Sequence, residues 1–304
     1  MKVTVLMSTY NGEKYLRQQI ESILNQEGVD VELIVRDDCS ADKTLEVLKE
    51  YQKTHNNIKI IEGTQNLGAC RSFFQLIGSY DTSDYYALSD QDDIWDTDKL
   101  KIAVGFLEKR NPEIPLLYYS NLRIVDANGH FCRISHSKPH IGKSKYSALS
   151  ENLATGCTIV YNKTLAGLAC QVKPKKFYMH DAWLYLVAKM FGETIYDFNP
   201  HINYRQHGDN EIGTYKKGID RKKIREQVGL VKGNNGRIWS TDAKIFLRQF
   251  SGSLTKTDKD KIIKFESYNK SLHNKINVIK DRCYYADDKY RILKFITEVL
   301  LGTL

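Results

Sequence analysis

An α/β fold built on a mostly parallel sheet is predicted by three observations. Between Val3 and Lys109, short apolar runs alternate with segments of helical periodicity. After Pro115 that rhythm gives way to apolar runs flanking Asn128-Gly129, a hairpin signal. The first apolar runs also end in polar, often acidic, residues, and open α/β sheets gather ligands at the carboxyl ends of their strands.

The elements follow in order. Val3–Met7 reads as the first strand, and Asn11 can cap a helix through Asn25 with Leu16, Ile20, Ile23 and Leu24 at helical spacing. Val31–Val35 is the second strand. Ser40 can cap the next helix, with Leu45, Leu48 and Tyr51 on one side. Ile58–Ile61 is the third strand, Asn66-Leu67-Gly68 opens a helix through about Ser79, Tyr85–Leu88 is the fourth strand, and Asp98–Lys109 is a helix. This order implies a sheet with helices on both faces. Beyond Pro115, Leu116–Val125 and Phe131–Ser135 form the hairpin, Ala154–Tyr161 a strand and Lys163–Gln171 a helix. Asp181–Phe191 is a helix ended by Gly192, and Ile195–Phe198 and Ile202–Gln206 are two short strands. In the tail, Ile262, Phe265, Leu272, Ile276, Ile279 and Cys283 recur at helical spacing. Two domains are expected, residues 1–215 and a basic helical extension over 216–304.

With 304 residues, 41% hydrophobic and 27% charged, the chain can bury a full core. No apolar run approaches the roughly 18 residues of a membrane span. The start reads as a first strand, without the longer apolar region of a signal peptide. Six scattered cysteines without a Cys-x-x-Cys pair fit reduced thiols, so a cytoplasmic location is expected. Charge is uneven: Lys216 to Leu304 carries 21 Lys/Arg against 10 Asp/Glu, leaving 24 against 27 before it. Such a tail suits an anionic partner, lipid headgroups or nucleic acid; a solvated helical face is the alternative. The apolar stripe of the tail can serve a homodimer or dock on the main domain.

The chemistry concentrates in Tyr85-Tyr86-Ala87-Leu88-Ser89-Asp90-Gln91-Asp92-Asp93-Ile94-Trp95. An aromatic, apolar run stops at three carboxylates. Asp90 and Asp92 are two apart, so in extended backbone they project to one side and offer hard oxygen ligands suited to Mg2+ or Mn2+. A solvated acidic turn is the alternative. No Gly-x-Gly-x-x-Gly follows the first strand and no phosphate-cradling Gly-Lys-Ser/Thr loop is present, which argues against dinucleotide and P-loop folds.

Taken together, Ser8-Thr9-Tyr10-Asn11, Asp37-Asp38-Cys39-Ser40-Ala41-Asp42, Asn66-Leu67-Gly68-Ala69-Cys70-Arg71 and Asp90-Gln91-Asp92-Asp93 resemble glycosyltransferase family 2 over residues 3–100. Those are inverting enzymes with the Rossmann-like glycosyltransferase A-type fold, a mixed-sheet nucleotide-diphospho-sugar transferase architecture. Further pieces resemble its rhamnosyltransferase branch, which builds bacterial surface polysaccharides: Leu153-Ala154-Thr155-Gly156-Cys157, Met179-His180-Asp181-Ala182-Trp183 and Tyr204-Arg205-Gln206-His207-Gly208-Asp209-Asn210.

The resemblance implies roles. Thr9 and Tyr10 would line a base pocket, and Asp38 would accept the N3–H of uracil or thymine, a carboxylate being acceptor-only. Asp37 would serve the ribose or the local turn; capping the helix after the strand is the alternative for Asp37 and Asp42 alike. Arg71 would brace the base site or the diphosphate. Asp92 would hold the cation, with Asp90 toward ribose and metal, His207 as a third ligand and Asp93 as ligand or orienting carboxylate. Gly156 would allow close approach of a sugar. Arg205, Lys216 and Lys217 would close on the diphosphate, or simply face solvent. Asp181 would be the general base, since inversion by single displacement needs a carboxylate to take the acceptor proton. A helix cap is its other role, and His180 is the alternative base. Trp95 reads as acceptor wall or core. The donor implied is dTDP-L-rhamnose, with UDP-hexoses and UDP-N-acetylhexosamines as alternatives; the acceptor is a glycan, lipid-linked, with the enzyme peripheral on the inner face of the plasma membrane. No nucleic-acid partner is expected, because nucleic-acid binding leaves the acidic strand ends unexplained. A nucleotidyltransferase would need a Gly-rich, Arg-containing loop where Thr9-Tyr10-Asn11-Gly12 stands.

Overall fold

The computed structural model describes residues 1–77, 83–137, 144–172, 179–207, 238–285 and 288–304. They group into two compact units. One comprises the described residues within Met1–His140, Ala154–Lys173 and Phe191–Thr214; the other, those within Ile141–Leu153, Pro174–Met190 and Tyr215–Leu304. This division differs from a break at 215/216, because two internal segments join the tail.

The first unit is a mixed sheet in the order β3-β2-β1-β4-β8-β6-β9-β5, with β7 beside β6. The strands β1 (Lys2–Thr9), β2 (Asp30–Asp37), β3 (Ile58–Glu62) and β4 (Tyr85–Ser89) run parallel. The middles of β1, β2 and β4 are buried almost without break, as in Val3, Val5, Leu6 and Met7 beside Leu33, Ile34 and Val35. A two-sided apolar strand of this kind requires helices on both faces. These are α1 (Leu16–Leu24), α2 (Thr44–Thr54), α3 (Ala69–Ile77) and α4 (Lys99–Leu107), as the alternating sequence anticipates.

Three elements depart from expectation. The stretch expected as a strand over Ala154–Tyr161 makes a 3-10 turn at Gly156–Thr158 before β8 (Val160–Asn162). Thr158 Oγ1 and N–H both bond the Thr155 carbonyl, at 2.7 and 2.9 Å, and this local bonding competes with a ladder. The two short strands expected around Pro200 are one strand, β9 (Glu193–Arg205), parallel to β6 (Leu116–Val125). Register shifts between Ser120 and Arg123 leave Phe198-Asn199 bulged and set Pro200 opposite Asn121. Finally, Ile94–Trp95 forms β5 against Ile202–Asn203, and the buried Trp95 belongs to the core. The hairpin of β6 and β7 (Phe131–Ile134) and helix α5 (Lys163–Ala169) stand where the sequence puts them.

Gly192 connects the end of α6 (His180–Phe191) to β9, and a Cβ there would lie 1.8 Å from the Pro115 carbonyl oxygen. Backbone cannot yield as a side chain does. Gly192→Ala is therefore expected to destabilise the first unit by at least about 2 kcal/mol, read as a lower urea midpoint. An unchanged midpoint would refute that close approach.

The second unit is helical. Nearly every residue of α6 is buried, which explains why it leaves the sheet domain: Trp183 packs against Phe246 and Phe250 of α7 (Ile238–Phe250), with ring centroids at 5.7 and 6.2 Å. Helix α8 (Lys256–Glu266) starts with a capping box of Thr255 and Asp258; α9 (Leu272–Lys280) and α10 (Lys289–Leu301) follow. Asp258 also takes Lys145 Nζ at 2.6 Å and the Tyr146 hydroxyl at 2.8 Å, fastening residues 145–149 to the tail helices.

Burial pushes His180, at the start of α6, down to about 3. The unfolded chain thus binds a proton below about pH 6.5 that the folded chain refuses until about pH 3. Stability is complete above that window and falls with pH inside it, at up to roughly 1.4 kcal/mol per pH unit. His180→Leu is expected to flatten the dependence measured by urea unfolding. An equal slope in both proteins would refute the assignment.

Candidate active site

The loops after β1 and β2 carry left-handed backbone at two non-glycine residues, Asn11 (φ 48°) and Cys39 (φ 64°). Such strain persists only where surroundings enforce it. Here the loops bond across each other: Asn11 N–H to Ser40 Oγ (3.0 Å), Ala41 N–H to Asn11 Oδ1 (2.8 Å) and Glu13 N–H to Asp42 Oδ2 (3.1 Å). Asn11 and Ser40 are consequently not the helix caps expected; α1 begins at Leu16 and α2 at Thr44. Asp42 Oδ1 accepts from the N–H (3.0 Å) and hydroxyl (2.5 Å) of Thr44, two residues on; the cap position of α2 is Lys43, with no side-chain cap bond, so Asp42 is not the helix cap.

Asp37 accepts from the Thr9 hydroxyl (3.1 Å) and from Ser40 N–H (3.0 Å) and Oγ (2.5 Å). It anchors the turn, and the buried Thr9 side chain braces it from below. Tyr10 is exposed at the strand end. Asp38 is buried, and its carboxylate takes the Arg36 guanidinium and the N–H groups of Leu67 (2.9 Å) and Gly68 (2.8 Å). Gly68, at φ +78°, supplies the left-handed turn that aims these donors. Arg36 also reaches Gln75 Oε1 at 2.8 Å, so one buried ion pair ties β2 to the loop before α3. Arg71 is exposed on the first turn of α3.

Beyond β4 the acidic loop is held by its middle residue. The Gln91 amide accepts from Tyr10 N–H (2.9 Å) and donates to the Tyr10 carbonyl (3.0 Å), zipping the ends of β1 and β4 together. From the far end of β9, His207 Nε2 lies 2.7 Å from Asp92 Oδ2 across 115 residues of sequence, its ring 4.9 Å from that of Tyr15. Arg205 is buried and structural, contrary to the expected diphosphate contact. Its guanidinium donates to the carbonyls of Asp92 (2.9 Å) and Ala127 (3.1 Å) and to Gln18 Oε1 (2.8 Å). Its N–H donates to Asp93 Oδ1 at 3.1 Å. Arg205 therefore fixes the acidic loop's backbone and carries His207, two residues on, to Asp92. Gly208-Asp209-Asn210, Lys216 and Lys217 lie outside the described residues.

One ligand atom each of Asp90, Asp93 and Cys157 lie within 4.8 Å of one another. Asp93 is fully buried, and burial, with the charges of Asp92 and Asp90, pushes it well above the usual carboxylate range. Burial likewise pushes the Cys157 thiol up, with Asp93 and Asp90 adding to it. Gly156, beside it, is buried in the 3-10 turn. Lys99, unforeseen in the sequence, is buried with Nζ 3.5 Å from the Trp95 ring centroid, and burial lowers it to about 7. Crowded acids with a buried Asp93 oxygen lacking a hydrogen-bond partner among the described residues fit a divalent cation. Asp90, Asp92 and His207 would supply the hard oxygen and imidazole donors for it. Asp181, in the second unit, opens α6 with Oδ1 accepting Ala182 N–H at 2.7 Å.

The family model for glycosyl transferase family 2 matches residues 4–165. The chain belongs to that family. Among curated relatives it is 31% identical over 242 residues to the dTDP-rhamnosyl transferase RfbG of Shigella flexneri, covering 74% of this chain and 79% of that one. It is 29% identical to the UDP-Glc:alpha-D-GlcNAc-diphosphoundecaprenol beta-1,3-glucosyltransferase WfgD of Escherichia coli, covering 54% of this chain and 61% of that one. S. aureus TarS 1-349 in complex with UDP-GlcNAc shares the fold, with TM-score 0.59 and 14% identity over 100% of this chain and 82% of that one. The glycosyltransferase A-type architecture expected from the sequence is thus the observed one, and the protein is a glycosyltransferase.

Proposed function

We propose that this family 2 glycosyltransferase moves L-rhamnose from dTDP-L-rhamnose to a sugar hydroxyl of a lipid-linked surface polysaccharide, inverting the anomeric centre, with Mg2+ or Mn2+ bound. The observation that carries the reading is the meeting of Asp92 and His207, 2.7 Å apart, beside Asp90 and Asp93 at the carboxyl edge of β4. Acids crowded at a strand end need a counter-charge, and a nucleoside diphosphate needs one too. A divalent ion held by Asp90, Asp92 and His207 would offset the charge growing on the departing diphosphate. Tyr10, exposed beside the strained loop, would face the base, and Asp38 would keep that loop in register while offering its remaining acceptor capacity to the base N3–H. Arg71 would reach the base or the diphosphate. Asp181 would take the acceptor proton as the acceptor oxygen attacks the sugar's C1 and the nucleoside diphosphate leaves, so no covalent sugar–enzyme species is needed.

The name of RfbG supports the dTDP-rhamnose donor, and that of WfgD, a glucosyltransferase acting on a GlcNAc-diphosphoundecaprenol, supports a lipid-diphosphate acceptor. WfgD and TarS also support a second reading, a UDP-hexose or UDP-N-acetylhexosamine donor on the same fold. Thermal shift with dTDP, UDP and GDP, each with and without Mn2+, separates them, because a ligand that binds the folded chain raises its melting point with affinity. The largest Mn2+-dependent shift is expected for dTDP. A larger one for UDP favours the second reading, and one led by GDP overturns both.

A further inference from the structure

We propose that one face of α10, in the second unit, is the surface by which this protein lies on an anionic lipid bilayer. The helix is apolar on two sides. Phe295 and Val299 are buried in its unit, where the Phe295 ring sits 4.8 Å from that of Tyr285. On the other side Tyr290, Leu293, Leu300 and Leu301 are 69%, 65%, 51% and 55% exposed. At 3.6 residues per turn these four share, with Lys294 and Thr297, about a third of the circumference. No acid stands on that arc; Glu298 lies off it, partly buried and 3.7 Å from Lys294. A helix facing only water places polar residues there. Lys275 Nζ donates to the Leu300 carbonyl at 2.8 Å, bringing α9 to the end of α10, and α9 adds exposed Leu272 and Ile276.

Charge chooses the occupant. Lys280, Arg282 and Lys289 are exposed on α9, on α10 and between them, and Lys294 is exposed beside Glu298. Lys261 and Lys264, by contrast, are engaged with Asp281, and Arg291 with Glu151. Leucine and tyrosine bordered by cations are what an interfacial helix presents to acidic headgroups, whereas a second copy would bring two cationic borders together. No helix among the described residues is long and apolar enough to cross a membrane, so the contact is with the surface. The inference deepens, and rests on, the reading of a lipid-linked acceptor, which needs an enzyme working at the bilayer.

The test is flotation of the full chain with vesicles of phosphatidylglycerol and phosphatidylcholine in equal parts, against pure phosphatidylcholine. Wild type is expected to float with the former only. The double variant Leu293→Asp/Leu300→Asp is expected to lose at least about ten-fold in partitioning, and Leu293→Met/Leu300→Met to retain it. Circular dichroism and the melting point check folding; both positions face solvent. Absence of wild-type flotation overturns the proposal, as does flotation unchanged by the Asp pair. So does a dimer, seen by light scattering, that the Asp pair dissociates without altering vesicle binding. The nucleotide-induced thermal shift of the same wild-type sample is scored separately, so a failed donor reading and a failed membrane face are told apart.

Discussion

Asp92→Asn is expected to lower kcat/KM for transfer by about 10³-fold while leaving the fold intact. The carboxylate meets His207 Nε2 at 2.7 Å, and the Asp92 carbonyl, untouched by the substitution, keeps its bond from Arg205 Nε at 2.9 Å. The loop's backbone is therefore held independently of the side chain. What the variant removes is one negative charge and one hard oxygen ligand, in a loop where Asp90 and Asp93 alone cannot complete a cation's shell. The decisive readout is the nucleotide-induced thermal shift with and without Mn2+. In wild type the ion should enlarge the shift; in Asp92→Asn the two curves should coincide. His207→Ala should weaken the Mn2+ effect less, because it removes one imidazole and leaves the carboxylates in place. If Asp92→Asn keeps the full Mn2+ dependence, the cation is held elsewhere and the assignment fails.

Much of this architecture was legible because its signals are local. The first four strands are apolar runs with polar ends, and Asn128-Gly129 announces its hairpin. The strand β5 was not legible, since two residues have no periodicity and Ile94–Trp95 becomes a strand only when Ile202–Asn203 arrives from β9. That β9 is a single strand was hidden by Asn199-Pro200, which reads as a break until extra residues of β9 itself are taken up by shifts in its register with β6. The site divides the same way. Asp90 and Asp92 announce themselves by spacing, and the family motif points to His207. Arg36, Gln91 and Lys99 were invisible, because each takes its meaning from a partner far along the chain: Gln75, Tyr10 and Cys157. Arg205 was misread for a related reason. An arginine after a short strand looks like a phosphate contact, but three of its guanidinium donors are spent on Asp92, Ala127 and Gln18, where they build the site's frame.

Asp181→Asn is expected to reduce turnover by about 10²–10⁴-fold, the usual contribution of a positioned general base, with nucleotide affinity unchanged. The substitution is informative because the proposed proton transfer and the observed hydrogen bond are separable. Asp181 Oδ1 accepts Ala182 N–H at 2.7 Å in the first turn of α6, and an asparagine oxygen can accept the same bond. Stability should thus move by a few tenths of a kcal/mol in Asp181→Asn, and by about 1 kcal/mol in Asp181→Ala, which removes the acceptor. A residue that only capped the helix would show losses of activity that follow stability, with Ala worse than Asn. A base would show both variants equally inactive, since neither can take a proton at neutral pH. The neighbouring imidazole is a poor substitute: burial holds His180 near 3, which makes it a weak proton acceptor. His180→Leu should accordingly leave more activity than Asp181→Asn. Turnover that survives in Asp181→Asn together with weakened nucleotide binding would move this carboxylate from proton transfer to donor binding.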